Sequence, residues 1–190
     1  MKGCNFHFTQ AVWRKLQEVG LQNAFYKKET TYKFCKTLMA LAYLPAAHIK
    51  AQFEDLVQLC PAEGKIRELV NYIERQWMEN AAFPVESWSV FMRPVRTNND
   101  VEGWHNRLNQ IGKANLNVYQ MISLLHDEAS AIPMQIKFLS GGAVLRYQRS
   151  KQRQRQHEIL TAWEDLNTGR LSGAQLLRKC AKLNDPVVED

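Results

Sequence analysis

No apolar run in the 190-residue chain approaches the roughly 18 residues a membrane span requires. The most hydrophobic stretch, residues 38–47, is interrupted by Pro45 and reads as core. The opening Met-Lys-Gly-Cys-Asn-Phe-His lacks an apolar signal region, so the expectation is a soluble chain in a reducing compartment. Cysteine is scarce and scattered. Cys4, Cys35, Cys60 and Cys180 are therefore expected as thiols rather than as a disulfide framework. There is no Gly-rich phosphate loop, because Gly141-Gly142 lacks the accompanying Lys and Ser/Thr. No serine occupies a nucleophile elbow. The acidic pairs Glu54-Asp55 and Asp127-Glu128 lack the alternating ligand spacing of a calcium loop and read as exposed helix faces. No internal repeat is visible.

What the chain does have is helical periodicity, in an otherwise ordinary globular composition of 45% hydrophobic and 23% charged residues. Val12, Leu16 and Val19 recur at helical spacing, and Gly20 suits the stop. Phe34, Leu38 and Leu41 repeat the pattern. Pro45 suits a first helical position ahead of Ile49, Phe53, Leu56 and Cys60. Ile66, Leu69, Val70, Ile73 and Trp77 form the clearest stripe. Four helices between about 9 and 79, joined by short loops, favour a bundle of antiparallel neighbours. Residues 81–99, with Pro84 and Pro94 around Trp88-Ser89-Val90-Phe91-Met92, read as an extended connection. Helices resume at Asp100, and Pro133 is expected to kink or end the second of them. A long polar helix from about 144 to 167 ends near Gly169, and Ser172 caps a last short one. The tail from 184 to 190 is expected to be disordered. Asn5-Phe6-His7-Phe8 is the one strand-like hint near the N-terminus.

Three patterns carry chemistry. Within residues 97–109, Glu102, His105, Asn106 and Asn109 fall at i, i+3, i+4 and i+7, one polar stripe of a helix. A Glu and a His one turn apart can face one metal ion. Asn99 followed by Glu102 is equally a capping-box spacing, in which the carboxylate serves the helix start. Cys4 and His7 form a Cys-x-x-His pair, which is either half of a zinc site or a thiol and a hydrogen-bonded imidazole beside the first helix; no second half with matching spacing exists. Arg146, Arg149, Lys151, Arg153 and Arg155 form a basic run without an acidic residue. It fits phosphate neutralisation, a nuclear-import patch or a solvated helix face. Tyr147 is its lone ring, so base stacking is not indicated. The formal charge of +6 and a pI near 9.2 are compatible with a polyanionic partner without requiring one.

Three separated segments resemble one family. Gly3-Cys4-Asn5-Phe6-His7-Phe8-Thr9-Gln10-Ala11-Val12-Trp13-Arg14-Lys15, then Leu38-Met39-Ala40-Leu41-Ala42-Tyr43-Leu44-Pro45, then Arg96-Thr97-Asn98-Asn99-Asp100-Val101-Glu102-Gly103-Trp104-His105-Asn106, look like the C-terminal half of Mutator-like element (MULE) transposase domains. The animal versions found beside FLYWCH zinc fingers are the most similar. The resemblance extends through Ala162-Trp163-Glu164-Asp165-Leu166-Asn167-Thr168-Gly169-Arg170-Leu171-Ser172, nearly the whole chain.

The resemblance implies a mainly α chain: the helical insertion and C-terminal helices of an RNase H-like α/β core whose N-terminal strands are missing. It divides the chain into a residual core strand with the Cys-x-x-His (1–8), the insertion (9–80), the connection (81–99), C-terminal helices that include the acidic-residue helix (100–183) and the tail. It implies DNA transposition in the nucleus by two Asp and one Glu holding magnesium. Glu102 matches the third acid, Cys4 and His7 match the Cys-x-x-His, and Thr97, Asn98, His105 and Asn106 support the motif. Both aspartates are expected upstream of Cys4, and one Glu cannot hold the two ions, about 3.5–4 Å apart, of a two-metal centre. Three readings follow: a partial transposase domain inactive alone, a non-catalytic DNA-binding or nuclear interaction module, and a small helical protein with zinc at Cys4 and His7. A missing N-terminal half or other nuclear proteins are the expected partners besides DNA.

Overall fold

The computed structural model describes residues 5–27, 30–61, 63–93, 99–111, 116–140 and 150–184. Among them the chain is mainly α, with no strand. The described residues form ten α-helices in order: α1 (Asn5–Glu18), α2 (Gln22–Tyr26), α3 (Thr30–Met39), α4 (Ala46–Gln58), α5 (Lys65–Ile73), α6 (Val85–Trp88), α7 (Asn99–Ile111), α8 (Val118–Ser140), α9 (Ser150–Asn167) and α10 (Gly173–Leu183). None of the described helices is long and apolar enough to cross a membrane. Two compact units result. One comprises residues 1–97 with 154–190, the other residues 98–153.

In the first unit, the expected strand at Asn5–Phe8 is instead the opening of α1. Asn5, Phe8, Thr9, Val12, Trp13 and Leu16 are all buried. Their helical spacing continues without a break, and that longer period overrides the two-residue alternation of Phe6 and Phe8. The helix stops where Gly20 takes φ +72°. The Gly20 and Leu21 amides donate back to the carbonyls of Gln17 and Leu16, both at 2.9 Å. This is a Schellman ending, completed by burial of Leu16 and Leu21 together. Pro45 precedes α4 as its N-cap, one residue earlier than expected, a shift within the usual spread of helix boundaries. α5 runs into a π turn at Glu74–Met78, where the Glu79 amide donates to the Glu74 carbonyl at 3.0 Å. The inserted residue turns Met78 inward after Ile73 and leaves Trp77 half-buried. Trp77 still packs edge-on against Phe8 (4.9 Å) and Phe83 (5.7 Å), while Trp88 stacks on Phe8 at 4.7 Å.

The centre of the core is the segment joining α3 to α4. Leu38, Met39, Ala40, Leu41, Ala42 and Leu44 have no exposed surface. A 3-10 turn at Leu41–Tyr43 ends the helix inside the core, which would orphan its last carbonyls. Distant parts of the chain satisfy them. The Asn184 side-chain amide donates to the Met39 carbonyl (3.4 Å), the Val90 amide to Ala42 (2.8 Å), the Trp163 indole to Tyr43 (2.8 Å) and the Ser89 hydroxyl to Leu44 (2.7 Å). Residues 89–90 therefore hold to the core by their own polar groups. The segment read as extended also contains α6, launched from Pro84 and anchored by the buried Val85 and Trp88.

α9 joins this unit through Ile159, Ala162 and Trp163, all buried. It ends in a second Schellman turn: Gly169, at φ +73°, donates to Leu166 (3.0 Å) and Arg170 donates to Asp165 (2.8 Å). The Arg170 side chain also pairs with the Asp165 carboxylate at 2.8 Å. Ser172 then opens α10 with a full capping box: its hydroxyl accepts from the Gln175 amide, and the Gln175 side chain accepts from the Ser172 amide. The expected stop at Gly169 and cap at Ser172 are both present. The start of the long polar helix, before residue 150, lies outside the described residues.

The second unit contains α7 and α8. Arg107 and the Trp104 indole of α7 both donate to Glu128 of α8, the indole at 3.2 Å. Asn117 and Gln120 cap α8 reciprocally, each side chain accepting from the other's amide at 2.9–3.0 Å. Pro133 does not end α8, which continues to Ser140. An interior Pro withdraws one N–H from the helix ladder, and here the carbonyl it leaves is that of Ala129, an exposed residue where water can serve it.

Candidate nucleic-acid interface

The acidic candidate and its companions lie on α7. Glu102 occupies the first turns of this helix, and His105 and Asn106 follow one turn on. The predicted i, i+3, i+4 stripe is thus carried on one continuous helix. Gly103, His105, Asn106 and Asn109 are exposed, and the His105 ring lies 5.2 Å from that of Trp104. The Glu102 side chain, with Thr97 and Asn98, lies outside the described residues. So does Cys4, while His7 sits exposed on α1 with its ring edge-on to Phe6 at 5.7 Å. Among the described residues no three His, Cys, Asp or Glu groups converge on a common point that could hold a metal ion.

Of the basic run, Arg146 and Arg149 lie outside the described residues, as does the Lys151 side chain. Lys151, Arg153 and Arg155 occupy the first turns of α9, Arg153 exposed and Arg155 partly covered. That first turn carries no acidic residue. Cations there oppose the helix dipole, which disfavours each by about 0.3–1 kcal/mol at low ionic strength. The helix tolerates this because its other half is anchored by Ile159, Ala162 and Trp163.

The structure adds a basic site that the sequence reading missed. α3 and α10 pack side by side in the first unit, and between them lies a cavity of about 580 Å³. Tyr32, Lys33, Lys36 and Thr37 line it from α3, with Arg178, Ala181 and Lys182 from α10. Four basic residues thus line one concavity, and no acidic residue is among the described residues that line it. Lys36 is the buried one, with its ammonium 5.3 Å from the centre of the Tyr32 ring, a cation–π contact that supports the charge out of bulk water. Lys33, Arg178 and Lys182 are exposed at the rim. The Arg178 guanidinium donates to the Ala174 carbonyl at 3.3 Å, which holds it along its own helix.

Charge is segregated in this unit. The nearby Asp165 carboxylate is engaged by Arg170 and, at 3.9 Å, by Lys179. A smaller cavity of about 180 Å³ gathers Glu54, Glu74 and Glu79 around Lys50, with Phe53 and Met78 beneath. Acids therefore collect along α4 and the π turn, and cations between α3 and α10. A partial signal for the groove was present, because Lys33 with Lys36 and Arg178 with Lys182 have helical i, i+3 and i, i+4 spacings. What brings the two pairs together is packing between segments some 145 residues apart, and local spacing cannot express that.

No family model, curated protein or solved structure matches this chain.

Proposed function

We propose that this chain is the C-terminal part of a MULE-type transposase domain, and that by itself it is a non-catalytic module that contacts DNA in the nucleus. The observation that carries the DNA contact is the groove between α3 and α10, lined by four basic residues and by no acidic one among its described lining residues. The transposase reading rests on the residues of the three resembling segments and on their order. In this reading the helical stretch of residues 9–80 is the insertion of an RNase H-like core, and α7 is the helix that bears its last acidic residue.

Magnesium enters only through that resemblance. Glu102 would be one ligand, and a two-metal centre needs several carboxylates. The neighbours one turn away, His105 and Asn106, are neutral or weakly basic donors suited to softer ions or to hydrogen bonding. The donor set on α7 does not fit a complete magnesium centre, so no catalytic step is assigned to this chain. Zinc at Cys4 and His7 would need two further ligands for the usual four.

Binding of a labelled duplex by the purified chain, followed by fluorescence anisotropy across a salt series, tests the proposal. Expected are measurable affinity at low salt and a linear loss with the logarithm of salt. The variant K33A/R178A/K182A should weaken binding and flatten that slope by about one unit per phosphate contact removed. A second variant, R149A/K151A/R153A/R155A, measures the share of the other basic run. Absence of duplex binding at low salt would sink the proposal. Unchanged binding by K33A/R178A/K182A would remove the groove from it.

A further inference from the structure

The longest helix among the described residues exposes apolar surface in an ordered way. Val118, Ile122, Leu125, Ala129, Ile132 and Ile136 of α8 are all exposed, the five larger ones at between 42% and 71% of their surface. Their spacings alternate four, three, four, three, four, which is the heptad seam of a coiled coil, with Ile122, Ala129 and Ile136 at a and Val118, Leu125 and Ile132 at d. α7 contacts Glu128, a flanking position of the same heptad, through Trp104 and Arg107. A 23-residue helix with a continuous apolar stripe in water is under pressure to bury that stripe.

We infer that α8 is a dimerisation helix whose seam pairs with the same helix of a second copy of this chain, in antiparallel orientation. Three observations select this occupant. The seam is a strict heptad along its whole length, which specifies another helix of the same repeat rather than a globular surface. It is also self-complementary when reversed. With the two-fold axis at Asp127, Val118 meets Ile136 of the second copy, Ile122 meets Ile132, and Leu125 meets Ala129. Large residues close both ends and a large one faces a small one at the middle, the alternation that fills a helix interface without voids. Reversal also sets the two helix dipoles head to tail. Finally, the area suffices. Six side chains of this exposure with their rim withdraw on the order of 500 Å² per chain, so roughly 1,000 Å² per pair, the threshold of a specific interface.

The test uses the full chain without DNA, in sedimentation or light-scattering measurements at tens of micromolar. Expected is a particle of twice the 22.0 kDa chain mass. Ile122→Glu with Ile132→Glu should yield a monomer of unchanged far-ultraviolet circular dichroism. Met134→Glu, at an equally exposed apolar residue off the seam, should leave the dimer intact. Orientation is read by thiol cross-linking: a mixture of V118C and I136C chains should form the mixed disulfide, and V118C alone should not cross-link through that site. A wild-type chain that stays monomeric, or a double Glu variant that stays dimeric, overturns the inference. Self-linkage of V118C chains through the introduced thiol overturns the antiparallel pairing.

Discussion

Substitution of Trp163 tests the argument that the core is organised around the carbonyls of residues 39–44. Trp163 is fully buried, its indole donates to the Tyr43 carbonyl at 2.8 Å, and its ring lies 5.5 Å from Phe91, edge to face. Trp163→Phe keeps most of the apolar volume and removes the donor. Tyr43 lies in a segment with almost no water access, so losing this bond should cost about 1–3 kcal/mol. Trp163→Ala adds loss of a large buried ring and of the Phe91 and Tyr43 contacts, for about 3–5 kcal/mol in all. Against a total of about 5–15 kcal/mol for a domain, the Phe variant should fold with a lowered denaturation midpoint, and the Ala variant should be close to unfolding. Urea titration followed by circular dichroism measures both, and the slope should stay constant while the midpoint moves. A Trp163→Phe variant within about 0.5 kcal/mol of the parent, the range of neutral surface changes, would refute the idea that this carbonyl depends on α9.

Further outcomes can be read by the same kind of measurement. Gly169→Ala should destabilise by roughly 1–2 kcal/mol through backbone strain alone, because φ is +73° and a Cβ there meets nothing within 4 Å. Gly20→Ala should cost at least as much, since its φ is +72° and its Cβ would also press on the Lys65 ammonium at 3.0 Å; equal stability of either variant and the parent would contradict the Schellman assignment. Ser172→Ala should cost about 1 kcal/mol through loss of the capping box, and Ser172→Asp should recover most of it. Burial pushes the Cys35 thiol up from 9.0 to about 12, so the folded chain keeps a proton that the unfolded chain releases. Its contribution is therefore complete below about pH 9 and falls as pH rises toward 12, and comparing parent with Cys35→Ala between those values should show the parent losing stability more steeply. Cys35 should also resist thiol reagents at neutral pH until the chain unfolds.

The sequence spoke clearly where a signal was local. Gly20, Gly169 and Ser172 marked ends that the structure places within a residue, because a positive φ or a cap depends on neighbours only. Apolar stripes located α1, α3, α4 and α5 for the same reason. One local signal misled. Phe6 and Phe8 alternate like a strand, but the longer stripe through Val12 and Leu16 decided the outcome. Pro133 reads as a residue that kinks or ends its helix, and α8 continues past it where the freed carbonyl lies at an exposed residue. Non-local facts were illegible. Nothing near Tyr43 announces that its carbonyl is served from Trp163, 120 residues on. Likewise nothing near Lys36 announces Arg178 and Lys182 across the groove.

The resembling segments separate on this basis into two kinds. The segment around Trp163 is accounted for by folding: Ala162 and Trp163 fill the core, Asp165 and Arg170 close a helix end, and Ser172 starts the next helix. The segment on α7 is accounted for only in part, by the Trp104 indole that donates to Glu128 of α8. Gly103, His105 and Asn106 are exposed, and among the described residues neither His105 nor Asn106 holds another element in place. Packing therefore leaves the identity of His105 and Asn106 unexplained. His105→Ala with Asn106→Ala should accordingly shift unfolding by no more than about 0.5 kcal/mol, the usual range for exposed positions. A drop of about 1 kcal/mol or more, roughly the value of a lost helix cap, would make the stripe a structural feature of α7. The case for Glu102 as a ligand-bearing residue would then lose its main support, because its companions would be explained by the helix itself.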